Sequence, residues 1–370
     1  MAKVLLGDVV NHIKDKVDKD TTDLEFYVGG EHIDGDEITV RRKGLIQGST
    51  IGPAFHMRFQ KGDVLLMSRN PHLRKASMVD FDGICSDVSY VCRTKDNNVL
   101  LQSLLPFILQ TTEFWQFAEE NKKGGLPFFL NWKDFARFEF ELIPIERQQR
   151  IADLLWAMER TKNAYRELIA RTDDLVKSQF IEMFGDPAEN PNQHPMKKLS
   201  ELGELNRGVS KARPRNKPEL LGGPYPLVQT GEVSAAGLYI DHYENTYSEE
   251  GLAQSKMWPK GTLCITIAAN IAQTGILSFD ACFPDSVCGF ISGNEVTQVY
   301  MHYWFSFFQK VLEEQAPQVA QRNINMRILN DLDVMVPPIA DQQTFEAFVQ
   351  RSDKSKNVAE KATAAIRFML

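Results

Sequence analysis

A short run of this sequence returns 194 residues later, and that repetition limits what the chain can fold into more than any other feature. Ile143-Pro-Ile-Glu-Arg-Gln-Gln149 comes back as Pro337-Pro-Ile-Ala-Asp-Gln-Gln343, and Asn131-Trp-Lys-Asp-Phe135 meets Asn325-Met-Arg-Ile-Leu329 at the same offset. Slightly displaced, Lys61-Gly62 with Val64-Leu65-Leu66 corresponds to Lys260-Gly261 with Leu263-Cys264-Ile265, and Phe81-Asp82 to Phe279-Asp280. Their common order predicts one unit present twice, because long-period self-similarity marks repeated structure. At 370 residues the chain has room for two domains of ordinary size.

Each half shows the same change of pattern. A region of Gly, Pro, aromatics and short β-branched runs, such as Asp63 to Met67 and Leu263 to Ala268, reads as a compact α+β domain. Residues 146–184 and 341–370 then contain neither Gly nor Pro and read as long helices, the first stopped by Gly185 and Pro187. Ile151, Met158, Tyr165 and Thr172 lie seven apart, with Leu154, Thr161, Leu168 and Leu175 three later. Phe345, Ser352, Ala359 and Ile366 repeat the first row in the second helix, and Phe348, Ser355, Ala362 and Met369 the second. Both rows are expected to be buried as a seam against another helix. A helix of about 50 Å needs a partner of similar length, and the other copy supplies one. The expected fold class is therefore α+β: two similar recognition domains separated by two long antiparallel helices in a coiled coil, a pseudo-twofold repeat. The expected boundaries are 1–145, 146–185, 186–338 and 339–370.

The formal net charge is −7, which would argue against nucleic acid if it were evenly spread. It is segregated instead. Arg41 to Ser77 holds eight cations against Asp63 alone, directly after Asp18 to Glu37 with eight acids against Lys19. Lys197 to Lys217 holds seven cations against Glu201 and Glu204. Basic patches of this kind are the footprint a phosphate backbone needs. Two heads about 40–50 Å apart would meet successive major grooves of B-DNA, which repeats about every 34 Å. Lys and Arg would hold phosphates while Arg, Asn and Gln read base edges.

Other chemistries find little support. Five cysteines, an odd number with no CxxC pair, argue for a reducing cytosol and against disulfides or zinc. Apolar runs are far shorter than a membrane span, and Met1-Ala2-Lys3 opens no apolar signal segment, so neither membrane insertion nor export is expected. No GxGxxG or GxxxxGK[ST] turn is present for a nucleotide, and the seven histidines lack HExxH spacing. Asn70-Pro71-His72 lacks the second proline and the aromatic of an adenine-methylating motif, and Asp80, Asp82 and Asp87 read as turn residues. A coiled-coil scaffold that binds protein without DNA specificity is the alternative, and the two basic stretches speak against it.

These residues resemble the DNA-specificity subunit of Type I restriction-modification enzymes, over essentially the whole chain. The resemblance rests on Lys61-Gly-Asp-Val-Leu65, Phe81-Asp-Gly-Ile-Cys-Ser86, Pro144-Ile-Glu-Arg-Gln-Gln-Arg150 and Gln179-Phe-Ile-Glu-Met-Phe-Gly-Asp-Pro187. In the second half it rests on Tyr225-Pro-Leu-Val-Gln-Thr-Gly-Glu-Val233, Thr266-Ile-Ala-Ala-Asn270 with Gln273-Thr-Gly275, and Pro337 to Gln343. It implies a non-catalytic, cytoplasmic subunit that recognises a split target in double-stranded DNA and docks two methyltransferase subunits. Those partners would bind S-adenosylmethionine, and motor-nuclease subunits, where present, would use ATP; no cofactor is expected in this chain. One departure stands out: the second helix ends at Leu370, which matches Val176, so nothing corresponds to residues 177–187. A shortened chain or a spacer completed by a partner is the expectation there.

The expected DNA contacts are Arg41, Arg42, Lys43, Arg69, Arg74 and Lys75 in the first head, and Arg207, Lys211, Arg213, Arg215 and Lys217 in the second. Thr230, Asn270 and Gln273 are expected at groove edges on the strength of the resemblance.

Overall fold

A computed structural model describes every residue except Met1, Asn216, Ala269, Asn270, residues 316–324 and Leu370. It forms two compact units, one of residues 1–165 with 362–370 and the other of residues 166–361.

In the first unit the strands are β1 (Ala2–Leu5), β2 (Val10–Ile13), β3 (Phe26–Val28), β4 (Gly44–Leu45), β5 (Phe55–Phe59), β6 (Val64–Met67), β7 (Ala76–Met78), β8 (Gly83–Ser86), β9 (Ser89–Thr94) and β10 (Glu139–Leu142). They form sheets in the orders β2-β9-β6-β7, β4-β3-β8-β5 and β1-β10. The helices are α1 (Leu6–Val9), α2 (Leu105–Ile108), α3 (Thr112–Glu120), α4 (Trp132–Phe135) and, up to Tyr165, the long α5 (Ile145–Phe184), whose remainder belongs to the second unit.

The second unit carries β11 (Met196–Lys198), β12 (Gly203–Arg207), β13 (Leu221–Leu227), β14 (Tyr239–Ile240), β15 (Asn245–Tyr247), β16 (Met257–Trp258), β17 (Leu263–Thr266), β18 (Thr274–Leu277), β19 (Ala281–Cys282), β20 (Val287–Ser292) and β21 (Asp333–Met335). Its sheets run β12-β20-β17-β18-β14, β15-β13-β19-β16 and β11-β21. Helices α6 (Leu199–Leu202), α7 (Thr230–Ala235), α8 (Glu249–Ala253), α9 (Gln298–Gln315), α10 (Met326–Asn330) and, up to Lys361, α11 (Ile339–Met369) complete it. β3 pairs with β8 in parallel, as β13 does with β19.

Strand chemistry explains the layers. β6 is apolar at every position because both its faces are covered: Val64 and Leu66 face one core with Leu105, Phe114 and Phe135, while Leu65 and Met67 face another with Phe59 and Cys85. β17 does the same, with Leu263 and Ile265 on one side and Cys264 on the other. Each strand follows a glycine in the left-handed region, Gly62 at φ 90° and Gly261 at φ 88°, where a side chain would be strained. The preceding amide is held the same way in both, Lys61 N–H to Asp82 and Lys260 N–H to Asp280, each at 2.7 Å.

The start of each long helix is fixed by a buried glutamine. Gln148 Oε1 accepts the Leu101 N–H at 3.0 Å, and its Nε2 donates to Val99 O and Ile143 O at 2.8 and 2.9 Å. Gln342 Oε1 accepts the Thr297 N–H at 2.9 Å, and its Nε2 donates to Glu295 O and Pro337 O at 2.9 and 2.8 Å. This is the physical content of the repeated Pro-x-x-x-Gln pattern: buried backbone groups must be paired, and one primary amide supplies an acceptor and two donors.

The expected face of α5 needs correction. Leu154, Leu168 and Leu175 are 62%, 47% and 53% exposed, and Thr161 is exposed as well. Ala152, Glu159, Lys162, Val176, Phe180 and Phe184 are buried instead. The surrounding unit decides this. Trp156 donates its indole N–H to Ser103 O at 2.7 Å and packs edge-on against Phe107, turning that side of the helix inward. In the second unit Phe180 and Phe184 pack against Tyr300 and Phe345. On α11 Phe345 and Ala359 are buried as expected, Ser355 is exposed, and the Met369 side chain lies outside the described residues.

Candidate nucleic-acid interface

Three arginines of the first basic stretch are paired with acids of the run before it. Arg41 Nη2 lies 3.1 Å from Glu37 and also donates to Asn163, and Arg42 pairs with Asp34. Lys43 sits over the Phe26 ring at 3.3 Å from its centroid, a cation–π contact. Arg74, in the left-handed region at φ 49°, pairs with Asp36 at 2.9 Å and donates to Gln110 O at 3.1 Å. Lys75 donates to Gly30 O at 2.6 Å. Arg69 is exposed, its backbone bridged to Phe129.

The second basic stretch is organised differently. Arg207, Arg213 and Arg215 converge on a single acid, Asp285: Arg207 donates to its carbonyl, Arg213 lies 3.2 Å from one carboxylate oxygen and Arg215 pairs with the other. Arg213 is further held by Ser210 O and Ala212 O at 2.7 and 2.8 Å. Lys211 and Lys217 are exposed beside them in sequence. Several guanidinium groups held around one carboxylate leave a surplus of positive charge in a defined place, which a phosphate could neutralise.

Thr230, at the start of α7, lines a cavity of about 410 Å³ together with Arg215. Gln229, Asn245 and Ser286 add amide and hydroxyl groups to its walls, and Leu221, Leu227 and Tyr247 make it partly apolar. The fold therefore brings Thr230 and Arg215 together. Gln273 is elsewhere, in a cavity of about 250 Å³ lined also by Lys177, His302 and Lys356. Asn270 lies outside the described residues. Asn245, Ser286 and Asp285 escape a reading of the sequence because none stands in a charge run or a motif. Only strand pairing, Leu227 opposite Asn245, delivers that amide to the cavity.

On the matching sheet of the first unit, a cavity of about 720 Å³ is lined by Asp20, Asp23 and Glu25, with Lys19, Gln47 and Ser49. The two heads thus present different chemistry on similar sheets.

Residues 192–365 match the family model described as the Type I restriction modification DNA specificity domain. That segment is similar to this family. Across its full length it is similar in fold to solved structures of Type I systems. The S subunit from M. genitalium is 13% identical with a TM-score of 0.64, covering 100% of this chain and 93% of that one. A chain from a study of complex assembly and conformational transition of the type I R-M system is 19% identical with a TM-score of 0.55, covering 100% and 95%. The arginines around Asp285 and the cavity beside them lie within the matched specificity domain.

Among the described residues, no group of three or more His, Cys, Asp or Glu is placed to hold a metal ion, and no helix is long and apolar enough to cross a membrane. All five cysteines are buried and free, and burial pushes the Cys85 and Cys288 thiols up to about 12.

Proposed function

We propose that this chain is the non-catalytic DNA-specificity subunit of a Type I restriction-modification enzyme, acting in the cytoplasm. Each unit reads one half of a split target in double-stranded DNA. The two long helices pair antiparallel as a coiled coil that sets the interval between half-sites, and the whole is an internal duplication. Two methyltransferase subunits dock on it and bring S-adenosylmethionine; motor-nuclease subunits, where the system has them, use ATP. This chain itself binds neither cofactor.

The observation that carries the reading is the convergence of Arg207, Arg213 and Arg215 on Asp285, beside a cavity lined by Thr230 and Asn245, inside a specificity domain. The matching strand orders and the equivalent glutamines support duplication. Exposed Leu154, Leu168 and Leu175 on α5 supply apolar surface of the kind a partner covers.

Two experiments test the reading. Removing this gene should erase adenine methylation at one split motif genome-wide; an unchanged methylation map defeats it. Arg213→Ala with Arg215→Ala should weaken DNA binding by the assembled methyltransferase and flatten its log-log salt dependence by about two, since each phosphate that a cation neutralises adds close to one to the slope. An unchanged slope removes these arginines from the interface.

A further inference from the structure

The first unit contains a group of charges centred on a buried ion pair that DNA reading by exposed cations does not use. Lys162 on α5 is 1% exposed, and its ammonium lies 2.6 Å from Glu159, itself 1% exposed, and 3.4 Å from Glu37. Asn163 donates to Glu159 at 3.1 Å, and Arg41 joins Glu37 to Asn163. The loop end of this cluster is held rigidly: Ser77 Oγ and Gln110 Nε2 donate to the Glu37 carbonyl at 2.6 and 3.3 Å. Two carboxylates and two cations are thereby locked between the loop that carries Arg41, Arg42 and Lys43 and one face of α5.

Buried ion pairs contribute little net stability, since desolvating the charges offsets most of their attraction; their best-attested use is to enforce one arrangement over its neighbours. An apolar contact tolerates sliding and rotation, whereas a displaced ammonium would leave the buried Glu159 carboxylate without its cation at high cost, Glu37 keeping Arg41. The position 194 residues later, Lys356, is built otherwise. Its side chain is 17% exposed, pairs with Asp173 of α5 at 2.9 Å, and lies near Gly237 at the wall of a cavity lined also by Glu232, Asp241 and Asp353. The same lysine thus ties a head loop to its helix in the first unit and one helix to the other in the second.

We propose that Lys162, with Glu37 and Glu159, is a positioning device that fixes the pose of the first head's basic loop against α5, and so the half-site interval this subunit accepts. The part concerning DNA rests on the specificity reading above; the pose itself does not. The test uses the full chain with spin labels at two exposed positions, Asp34→Cys and Arg160→Cys, and a charge-free variant, Glu37→Gln with Glu159→Leu and Lys162→Met, chosen because removing all three charges avoids an unpaired buried ion. The parent should give one narrow label-to-label distance, and the triple variant a distribution at least twice as wide at a similar Tm. Lys162→Arg, which keeps the charge, should retain the narrow distribution. In complex with methyltransferase partners, the triple variant should modify targets whose interval is one base pair longer or shorter at a rate within about fivefold of the cognate target. An unbroadened distance overturns the positioning role. A broadened distance with full interval discrimination overturns its link to specificity. A parent complex that methylates without any sequence preference defeats the DNA reading instead, and the label distances still judge the pose.

Discussion

The two units share strand order and helix entry but differ in how charge is used. In the first, Arg41, Arg42 and Arg74 are each tied to an acid of the preceding loop, and a lysine is buried under that loop. In the second, two arginines share the Asp285 carboxylate while a third donates to its carbonyl, and the equivalent lysine is partly open. What the pair has in common is backbone satisfaction and core packing, which tolerate few solutions. What separates them is surface and cleft chemistry, where many solutions fold equally well.

The comparison breaks most visibly at the glutamines. Gln148→Leu and Gln342→Leu each strand one buried N–H and leave two carbonyls short of a donor, and each should cost about 3 kcal/mol in chemical denaturation of the full chain. Equal losses would sharpen the equivalence of the two helix entries. A tolerated leucine in one unit alone would break it.

A smaller effect distinguishes acid sensitivity. One histidine in each unit is withdrawn from water: His12, half-buried, packs against Tyr90 and Trp132, and His302, buried, lies 2.9 Å from Thr274 Oγ1. Burial lowers both to about 4, assisted by Lys14 at His12 and by Lys356 and Lys177 at His302. The unfolded chain takes up protons near pH 6.5 and the folded chain only near 4, so stability is complete above about pH 6.5 and falls as pH drops through that window. Thermal melts between pH 7 and 4 should therefore lose Tm, and His302→Gln should shallow the slope while His12→Phe shallows it separately. Melts independent of pH across this range would show that neither histidine is buried as described.

The smallest effect tests the corrected helix face. Leu168→Glu should change stability by no more than about 0.5 kcal/mol, because the side chain is exposed. It should nonetheless weaken capture of the methyltransferase in a pull-down if that face is covered by a partner. A loss of several kcal/mol would restore the leucine to the helix seam.

Several features are legible in the order of residues alone. The Pro-Ile-Glu-Arg-Gln-Gln and Pro-Ile-Ala-Asp-Gln-Gln runs mark the helix entries because Gln148 and Gln342 each satisfy the same three backbone groups. The Gly- and Pro-free stretches give helices close to α5 and α11. The stripe on α5 is displaced from its expected place, since leucines at seven-residue spacing describe a helix face without saying which face its neighbours cover. The basic runs locate both cationic segments, yet nothing in a run of arginines tells that Asp285, seventy residues away from Arg215, gathers them. Thr230 reaches the cavity beside Arg215 and Gln273 does not, because a loop residue's destination depends on the strands that carry it.

By itself, the sequence determined the things that local physics dictates: where helices begin and stop, which strands are apolar on both faces, and where glycine must turn the chain. Tertiary structure decided which charges are neutralised and which remain for a ligand, which side of α5 is buried, and which polar groups meet in a cleft. Periodicity and turns act over a few residues and so are written in order along the chain. Charge pairing and cleft formation join residues far apart in that order, and only the folded arrangement brings them within hydrogen-bonding reach.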